Sequence, residues 1–390
     1  MASGGPDACS NEDPNMSVPF NKLIARIDLD AIRENYLLLR EVAGNPAPVI
    51  KADAYGHGLL PVARTLAQAG AGSMCVGSVE EAVALRGEFS GRIVSLLGPL
   101  DKADAAAVVE HGLVPYIYRR EQLAMLAEAA RNAGGQARLA LKFDTGMGRL
   151  GFRLPDVPDL VATLAANREL RLELVASHLA TADEPARDDY VVRQRGVFEA
   201  VCSELRAAGL DFACTLGNSA GLLAYPELRY DLQRPGIALY GVNPFCGTPL
   251  AHLGERLRPA MSVRTPVAQV HSLDAGESVS YGCTFVAPKA MRVAVIAAGY
   301  ADCYSRALGG KAEVVIRGRR AKVCGRVCMQ LSIVDVSDIP GAEAGDDAWL
   351  LGGEGDDPVT PDELAGWWGT ITYEVFCLLG LNKREYVDGL

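Results

Sequence analysis

Between residues 23 and 241, short β-branched runs alternate with amphipathic helical stretches, and this alternation restricts the fold more than any other feature. "LIARIDL" precedes "DAIRENYLLLREV", "PVIKADA" precedes "LLPVARTLAQAG", and "SMCVGS" precedes "VEEAVALRGEF". "RIVSLLG", "LVPYIY", "ARLALKFDT", "ELVASHLAT", "DFACTLGN" and "IALYGV" continue the series, most of them followed by helical segments. Buried parallel strands read as continuous apolar runs, so the pattern predicts either a doubly wound α/β sheet or a (β/α)8 barrel. Roughly eight units in close to the typical barrel length of about 250 residues favour the barrel. After a Pro/Gly-bearing connector at 243–259, strand-like alternation dominates in "MSVRTPVAQVHSL", "MRVAVIAAGY", "AEVVIRGRRAKVCGRV" and "LSIVDV". A mostly β second domain is therefore expected. A late helix should start at Thr360, with Pro361 in its first turn and Glu363 completing a capping box. The expected division is a disordered extension at 1–22, a barrel at 23–245 and a β domain at 246–390.

Charge and cysteine usage exclude several classes. A net charge of −10 offers no basic face for nucleic acid or an acidic membrane. No apolar run approaches the roughly 18 residues of a membrane span. The start "MASGGPDACSNEDPN" lacks the apolar core of a signal peptide. Ten cysteines in a chain of this length then suggest a reducing cytoplasm, not a disulfide scaffold. Cys324 and Cys328, in "VCGRVC", have no matching Cys/His pair at zinc-site spacing, so no metal site is expected.

The stretch "PVIKADAYGHG" ends an apolar run on Lys51. A desolvated lysine loses its charge and can then attack a carbonyl or take a proton. On spacing alone, a solvent-facing lysine at a strand end is the commoner arrangement. In a parallel barrel, however, chemistry collects at the C-terminal ends of the strands, with phosphate often held after the seventh and eighth. There "GNSAG" offers the Ser219 hydroxyl, and "RPGIALYG" offers the backbone amides of Gly236 and Ile237. A late phosphate site facing an early lysine describes a pyridoxal 5'-phosphate pocket. "GMGRLG" matches a dinucleotide fingerprint after a strand, but "FRLPDVPD" follows it, and Pro155 and Pro158 are expected to keep the chain extended where a helix should open.

With those residues in place, the chain resembles the alanine racemases. "VIKADAYGHG", "KFDTGMGRLGF", "SHLATADE", "GNSAG", "RPGIALYG", "VSYGCTF", "AGYAD", "GRVCM" and "TITYEVF" match that family's blocks in order and spacing, from about residue 23 to the C-terminus. The resemblance implies a cytoplasmic homodimer that binds pyridoxal phosphate and makes D-alanine for cell-wall peptidoglycan, each active site being completed by the partner's β domain. It makes Lys51 the Schiff-base lysine and the base facing D-alanine, and Tyr281, reaching across the dimer, the base facing L-alanine. Inverting a stereocentre through a planar carbanion needs one acid/base on each face. Ordinary pKa values near 10 for both residues lie about three units too high for neutral pH, so desolvation and neighbouring cations must lower them.

By the same resemblance, Arg234 holds the pyridine nitrogen, and His178 bridges Arg234 and the partner's Tyr281. Without it, His178 reads as a satisfied core histidine. Tyr55, Tyr373, Asn218, Ser219, Gly236 and Ile237 match the phosphate shell. Arg149 matches the arginine that meets the substrate carboxylate, and Met329 the partner-chain residue giving a backbone amide beside it. Lys142 matches a lysine carbamylated in some relatives, where the negative charge would hold Arg149. Tyr300 is expected at the entrance, and the remaining histidines, His57 among them, match no catalytic position. One departure stands out: the family's usual Cys-Met-Asp reads Cys328-Met329-Gln330 here.

Three rivals share parts of this pattern. A pyridoxal-phosphate-binding protein without turnover lacks the β domain and "VSYGCTF". A two-domain decarboxylase would carry a different cysteine-aspartate motif. A racemase for serine or lysine needs more room than Tyr373 leaves.

Overall fold

Eight segments close into the predicted barrel. The computed structural model describes residues 21–387, so nearly all of the expected extension lies outside the described residues. Strands Ser73–Val76, Arg92–Ser95, Val114–Ile117, Ala137–Lys142, Leu170–Ala176 and Ala213–Thr215 pair in chain order, always parallel. Segment 46–50 bonds to the first of them through Ile50 N to Cys75 O (2.8 Å) and Cys75 N to Pro48 O (2.9 Å). Its other side takes the last segment, through Ala47 N to Gln233 O (2.7 Å) and Val49 N to Pro235 O (2.8 Å). Leu232 N donates to Cys214 O (3.2 Å) and Arg234 N to Gly217 O (2.9 Å), which closes the ring. Ser73–Val76 and Val114–Ile117 are buried at every residue, as strands walled by helices on one side and a packed interior on the other must be.

The second domain is built on the long strand Met261–Leu273. It pairs antiparallel with Met291–Ile296, Asp347–Leu351 and Ile24–Asp28. Lys383–Val387 lies parallel to Ile24–Asp28 at the edge. The late helix is Pro361–Trp368, capped by Thr360 with Glu363 in a capping box, as its sequence predicts.

Three expectations need correction. The first concerns the barrel's start at residue 23. Ile24–Asp28 is not a barrel strand but a member of the second domain's sheet, and the barrel begins at 46–50. The strand's two edges are taken by second-sheet strands, antiparallel Met261–Leu273 on one side and parallel Lys383–Val387 on the other, so its ladder hydrogen bonds are made there and not in the barrel. The chain crosses between domains at Asp28: its amide donates to Ala260 O (2.9 Å), and its carboxylate caps helix Leu29–Ala43 through Ala31 N (2.8 Å). The second concerns "IALYGV", which is a 3-10 helix (Ile237–Tyr240) rather than a strand, curled by Gly236 N and Ala238 N donating to Ser219 Oγ. The third concerns Pro155 and Pro158. They sit in the first turns of helices Leu154–Asp156 and Val157–Ala166, where a missing N–H costs nothing. No helix opens within "GMGRLG" itself.

Ile27 is fully buried in the strand that joins the two domains. Ile27→Ala is expected to lower stability by about 2–5 kcal/mol. Urea unfolding followed by tryptophan fluorescence reports the second domain, where all three tryptophans lie, and far-UV circular dichroism reports the barrel helices. Both transitions should move to lower urea together; a shift in only one would show that the domains unfold independently.

Candidate active site

A cavity of 670 Å3 opens at the C-terminal ends of the barrel strands. Its wall brings together Lys51, Tyr55, Lys142, Arg149, His178, Asn218, Ser219, Arg234, Gly236, Ile237 and Tyr373 from segments scattered over more than 300 positions. Every residue expected at the site, except the four in the second domain's loops, therefore lines one cavity of a single chain. Gly77, Leu96, Leu97, Tyr116, Met147 and Ile371 also line it and were not anticipated. Gly77, Leu96 and Leu97 follow strand ends and could have been found by that rule; Tyr116 sits inside an apolar run and carries no signal.

Lys51 is aimed by an unusual turn. Ala52, Asp53, Ala54 and Tyr55 all adopt left-handed φ values of 52–54°, in a chain segment without glycine. Each such residue costs roughly 1–2 kcal/mol, so the turn survives only because its surroundings hold it. Glu81, whose capping box with Ser78 starts helix Val79–Arg86, accepts from Asp53 N (3.1 Å) and Gly77 N (2.7 Å). The Asp53 carboxylate accepts from Leu59 N (2.6 Å) and pairs with Arg384. Fully buried His57 lies against the Tyr240 ring (4.4 Å) and the Phe376 edge (5.0 Å), and its Nδ1 faces the carbonyls of Ala54 (3.1 Å) and Tyr55 (3.0 Å). Burial pushes its pKa down to about 3, so the ring is neutral and Nδ1–H donates. Gly56 is required here: a Cβ would stand 2.3 Å from Phe376 O, at a φ of +80°.

The cavity concentrates positive charge. Lys142 and Arg234 are buried, Lys51 is half-buried and Arg149 stands exposed at the rim. Among the described residues no carboxylate lies within 4 Å of any of the four, and none lines the cavity. Arg234 donates to Ser177 O (2.7 Å), Leu216 O (3.3 Å) and the Thr215 hydroxyl, and its Nη2 lies 3.4 Å from His178 Nδ1. Burial, then the Arg234 charge, holds His178 well below the usual histidine range, so the ring is neutral and Nδ1 accepts. Burial lowers Lys51, and the Arg149 charge adds to it. Lys142 is lowered to about 7, again by burial first and Arg234 second.

Opposite Lys51, hydroxyls and amides gather. Ser219 Oγ accepts from Gly236 N (2.9 Å) and Ala238 N (3.2 Å). Ser219 and Ile237 each occupy the first position of a helix, where the amide has no partner in its own helix. The Tyr55 hydroxyl packs so close to Gly236 that a Cβ there would lie 2.5 Å from it. Burial keeps both tyrosine hydroxyls protonated, Tyr373 at about 12 and Tyr55 higher, so both are donors. Donors without a carboxylate, beside a lysine with weakened charge, fit a phosphate ester carrying an aldehyde.

Four second-domain candidates, Tyr281, Met329, Tyr300 and Gln330, are not part of this wall. Tyr281 is 69 % exposed, Met329 58 % and Tyr300 44 %, and Gln330 is exposed beside them. Their loops form one surface, because Tyr300 N and Ala301 N donate to Cys328 O (3.1 Å) and Met329 O (2.8 Å), and Ser280 Oγ donates to Arg326 O (2.6 Å).

Family models for the alanine racemase N-terminal and C-terminal domains match residues 27–244 and 260–386. An alanine racemase of Nitratidesulfovibrio vulgaris (strain Miyazaki F) is 54 % identical over 372 residues, 95 % of this chain and all of that protein. The crystal structure of alanine racemase from Streptomyces lavendulae superposes with a TM-score of 0.87 at 36 % identity, covering 96 % of this chain and 99 % of that one. A Bartonella henselae alanine racemase, solved with covalently bound pyridoxal phosphate, gives 0.83 at 28 % identity over 95 % and 100 %.

The lowered Lys142 carries a pH signature. Between the folded value of about 7 and the ordinary lysine value, folding must strip a proton that the unfolded chain keeps, so the penalty is full below about pH 7 and fades as pH rises. For protein freed of bound ligands, Lys142→Met should therefore raise the melting temperature more at about pH 6 than at about pH 9. Equal gains at both pH values would place the Lys142 ammonium in water.

Proposed function

This chain belongs to the alanine racemase family of isomerases, and on that premise we propose that it interconverts L- and D-alanine with pyridoxal phosphate, by proton transfer on two faces. The observation that carries the reading is a cavity with four basic side chains, no acid, and a lysine made easier to deprotonate. Such a site asks for anions. A cofactor phosphate and a substrate carboxylate supply two.

The residues present fit the group. Ser219, Tyr55, Tyr373 and the amides of Ser219, Gly236 and Ile237 would hold the phosphate, Arg234 the ring nitrogen and Lys51 the aldehyde carbon. Bound there, pyridoxal phosphate supplies an electron sink that lowers the cost of removing the proton on the substrate's α-carbon. Arg149 binds the carboxylate at the rim. Lys51 takes or gives the proton on the D face, its pKa brought towards neutrality by burial and Arg149. Tyr281 of the partner subunit does so on the L face. Arg234, always charged and already donating to three backbone or side-chain oxygens, keeps the ring nitrogen unprotonated and the sink weak, which limits side reactions.

The homodimer is supported by exposure. Tyr281, Met329 and Leu331, with Val286 close by in sequence, present apolar side chains to solvent at one end of the β domain, and Leu97, Ile371 and Tyr373 do so around the cavity mouth. Two such surfaces, one lacking the L-face base and one carrying it, complete each other in a symmetric pair. Lys142, with its pKa lowered to about 7, is in part a neutral amine near neutral pH and so a nucleophile for carbon dioxide, and the carbamate would give Arg149 its missing negative partner. Tyr373 and Ile371 narrow the substrate end and favour a methyl side chain over those of serine or lysine. The reading places the enzyme in the cytoplasm, feeding D-alanine to peptidoglycan; among the described residues, no helix is long and apolar enough to cross a membrane.

Borohydride treatment of the purified protein should fix the cofactor covalently to the peptide containing Lys51, read as an added mass. A protein that neither carries nor takes up pyridoxal phosphate would sink the reading.

The shared site predicts complementation. Lys51→Ala and Tyr281→Phe subunits should each be nearly inactive, by at least the roughly 10²–10⁴-fold loss of a positioned acid/base. Mixed under subunit-exchange conditions, they should regain one intact site per heterodimer. Absence of recovered racemisation, with exchange confirmed by mass, would place both bases in one subunit.

A further inference from the structure

A buried chain of hydroxyls ties the loop that bears Arg149 to the wall of the cavity. Ser177 Oγ donates to Phe143 O (2.9 Å), so its contact with Thr145 Oγ1 (2.8 Å) must be one in which Thr145 is the donor. Gln194 Nε2 then donates to Thr145 Oγ1 (3.4 Å) and to His178 O (2.9 Å), while its Oε1 accepts from Ala180 N (2.8 Å). Gln194 and Ser177 are fully buried and Thr145 nearly so. The chain has one consistent direction, from Gln194 through Thr145 and Ser177 to the Phe143 carbonyl. That same carbonyl accepts from Lys142 Nζ at 2.8 Å, which fills both of its acceptor sites.

The loop itself is pinched at its foot. Asp144 N donates to Phe152 O and Phe152 N to Lys142 O, both at 2.8 Å. Above the foot, Asp144 Oδ1 accepts from Gly146 N and Gly148 N (3.0 Å each), and Tyr190 Oη donates to Gly146 O (2.6 Å). The foot fixes where the loop starts but not how it leans. Among the described residues, Thr145 and Tyr190 are the side-chain ties from the loop to neighbouring elements, and both act on the glycine-rich half, before Arg149.

We propose that Thr145, held by Gln194 and Ser177, is a positioning residue that sets the lean of this loop and with it the reach of Arg149 towards the substrate carboxylate. The inference rests on the reading of Arg149 given above. It separates substrate affinity from the chemistry: Thr145 touches no proposed cofactor atom, and the proton-transferring residues are held by other elements.

Thr145→Val keeps the shape and removes only the hydroxyl; Thr145→Ser keeps the hydroxyl. In Thr145→Val, KM for alanine should rise about five- to tenfold, the scale of one lost hydrogen bond, with kcat and cofactor affinity within about twofold. Thr145→Ser should restore KM. Hydrogen exchange, needing no turnover, should show the Gly146 and Gly148 amides opening about tenfold faster in Thr145→Val, and in Tyr190→Phe, which serves if the first variant does not fold. An unchanged KM, a fall of kcat and cofactor affinity in step with KM, or a serine variant as impaired as the valine one overturns the proposal. If the wild-type protein does not racemise alanine, the functional reading fails separately, and unchanged exchange in both variants then overturns the tether.

Discussion

Uncompensated positive charge at the mouth of the barrel is the constraint on which the rest of the site depends. Lys142 and Arg234 are buried without a carboxylate within 4 Å, among the described residues, and Lys51 and Arg149 add to the same field. An isolated buried charge costs several kcal/mol, and the chain limits that cost in two ways. Arg234, which stays charged, is wrapped in carbonyl and hydroxyl oxygens. Lys51 and Lys142, which can lose a proton, have their pKa values lowered. On the reading proposed, the remaining cost is expressed as affinity for a phosphate and a carboxylate, an instance of stability given up locally for function.

The left-handed turn after Lys51 shows how far the fold goes to aim that charge. Four consecutive residues other than glycine at positive φ are held by Glu81 from the next βα unit, by His57 from within, and by Arg384 from the last described strand of the second domain. The second domain thus reaches the Lys51 turn inside a single subunit as well as, on the reading proposed, the partner's cavity across the dimer. Ile24–Asp28 reinforces the tie, since it starts in the second sheet and delivers the chain directly into the barrel's first helix.

Much of the fold was legible because periodicity is a local property. Uniformly apolar runs mark the barrel strands, and Thr360-Pro361-Glu363 marks a helix start that the structure reproduces. The misreadings were also physical. "LIARIDL" is a strand, but Met261–Leu273 and Lys383–Val387, both far along the chain, take its two edges and draw it out of the barrel. "IALYGV" is apolar enough for a strand, yet Ser219, from the previous βα unit, captures two of its amides and curls it. No window of sequence contains that interaction.

The same division holds for the site. The order of strands and the rule that chemistry collects at their C-terminal ends determined, from sequence, that Lys51, His178, Ser219, Arg234 and Gly236 would meet, because a closed parallel barrel leaves those positions one place to go. Residue types then suggested a ligand class, a lysine facing a hydroxyl and a glycine that admits close approach, and the folded cavity added the absence of acids. Only the tertiary structure decided the protonation of Lys142 and His178, since burial and the Arg234 field act through space. It alone revealed the left-handed turn, which local propensity opposes, and the chain from Gln194 to Phe143, whose links each span 32 to 49 positions. Sequence fixes what a segment prefers; packing decides which preferences are overruled, because desolvation and hydrogen-bond satisfaction depend on neighbours that the chain brings together only when folded.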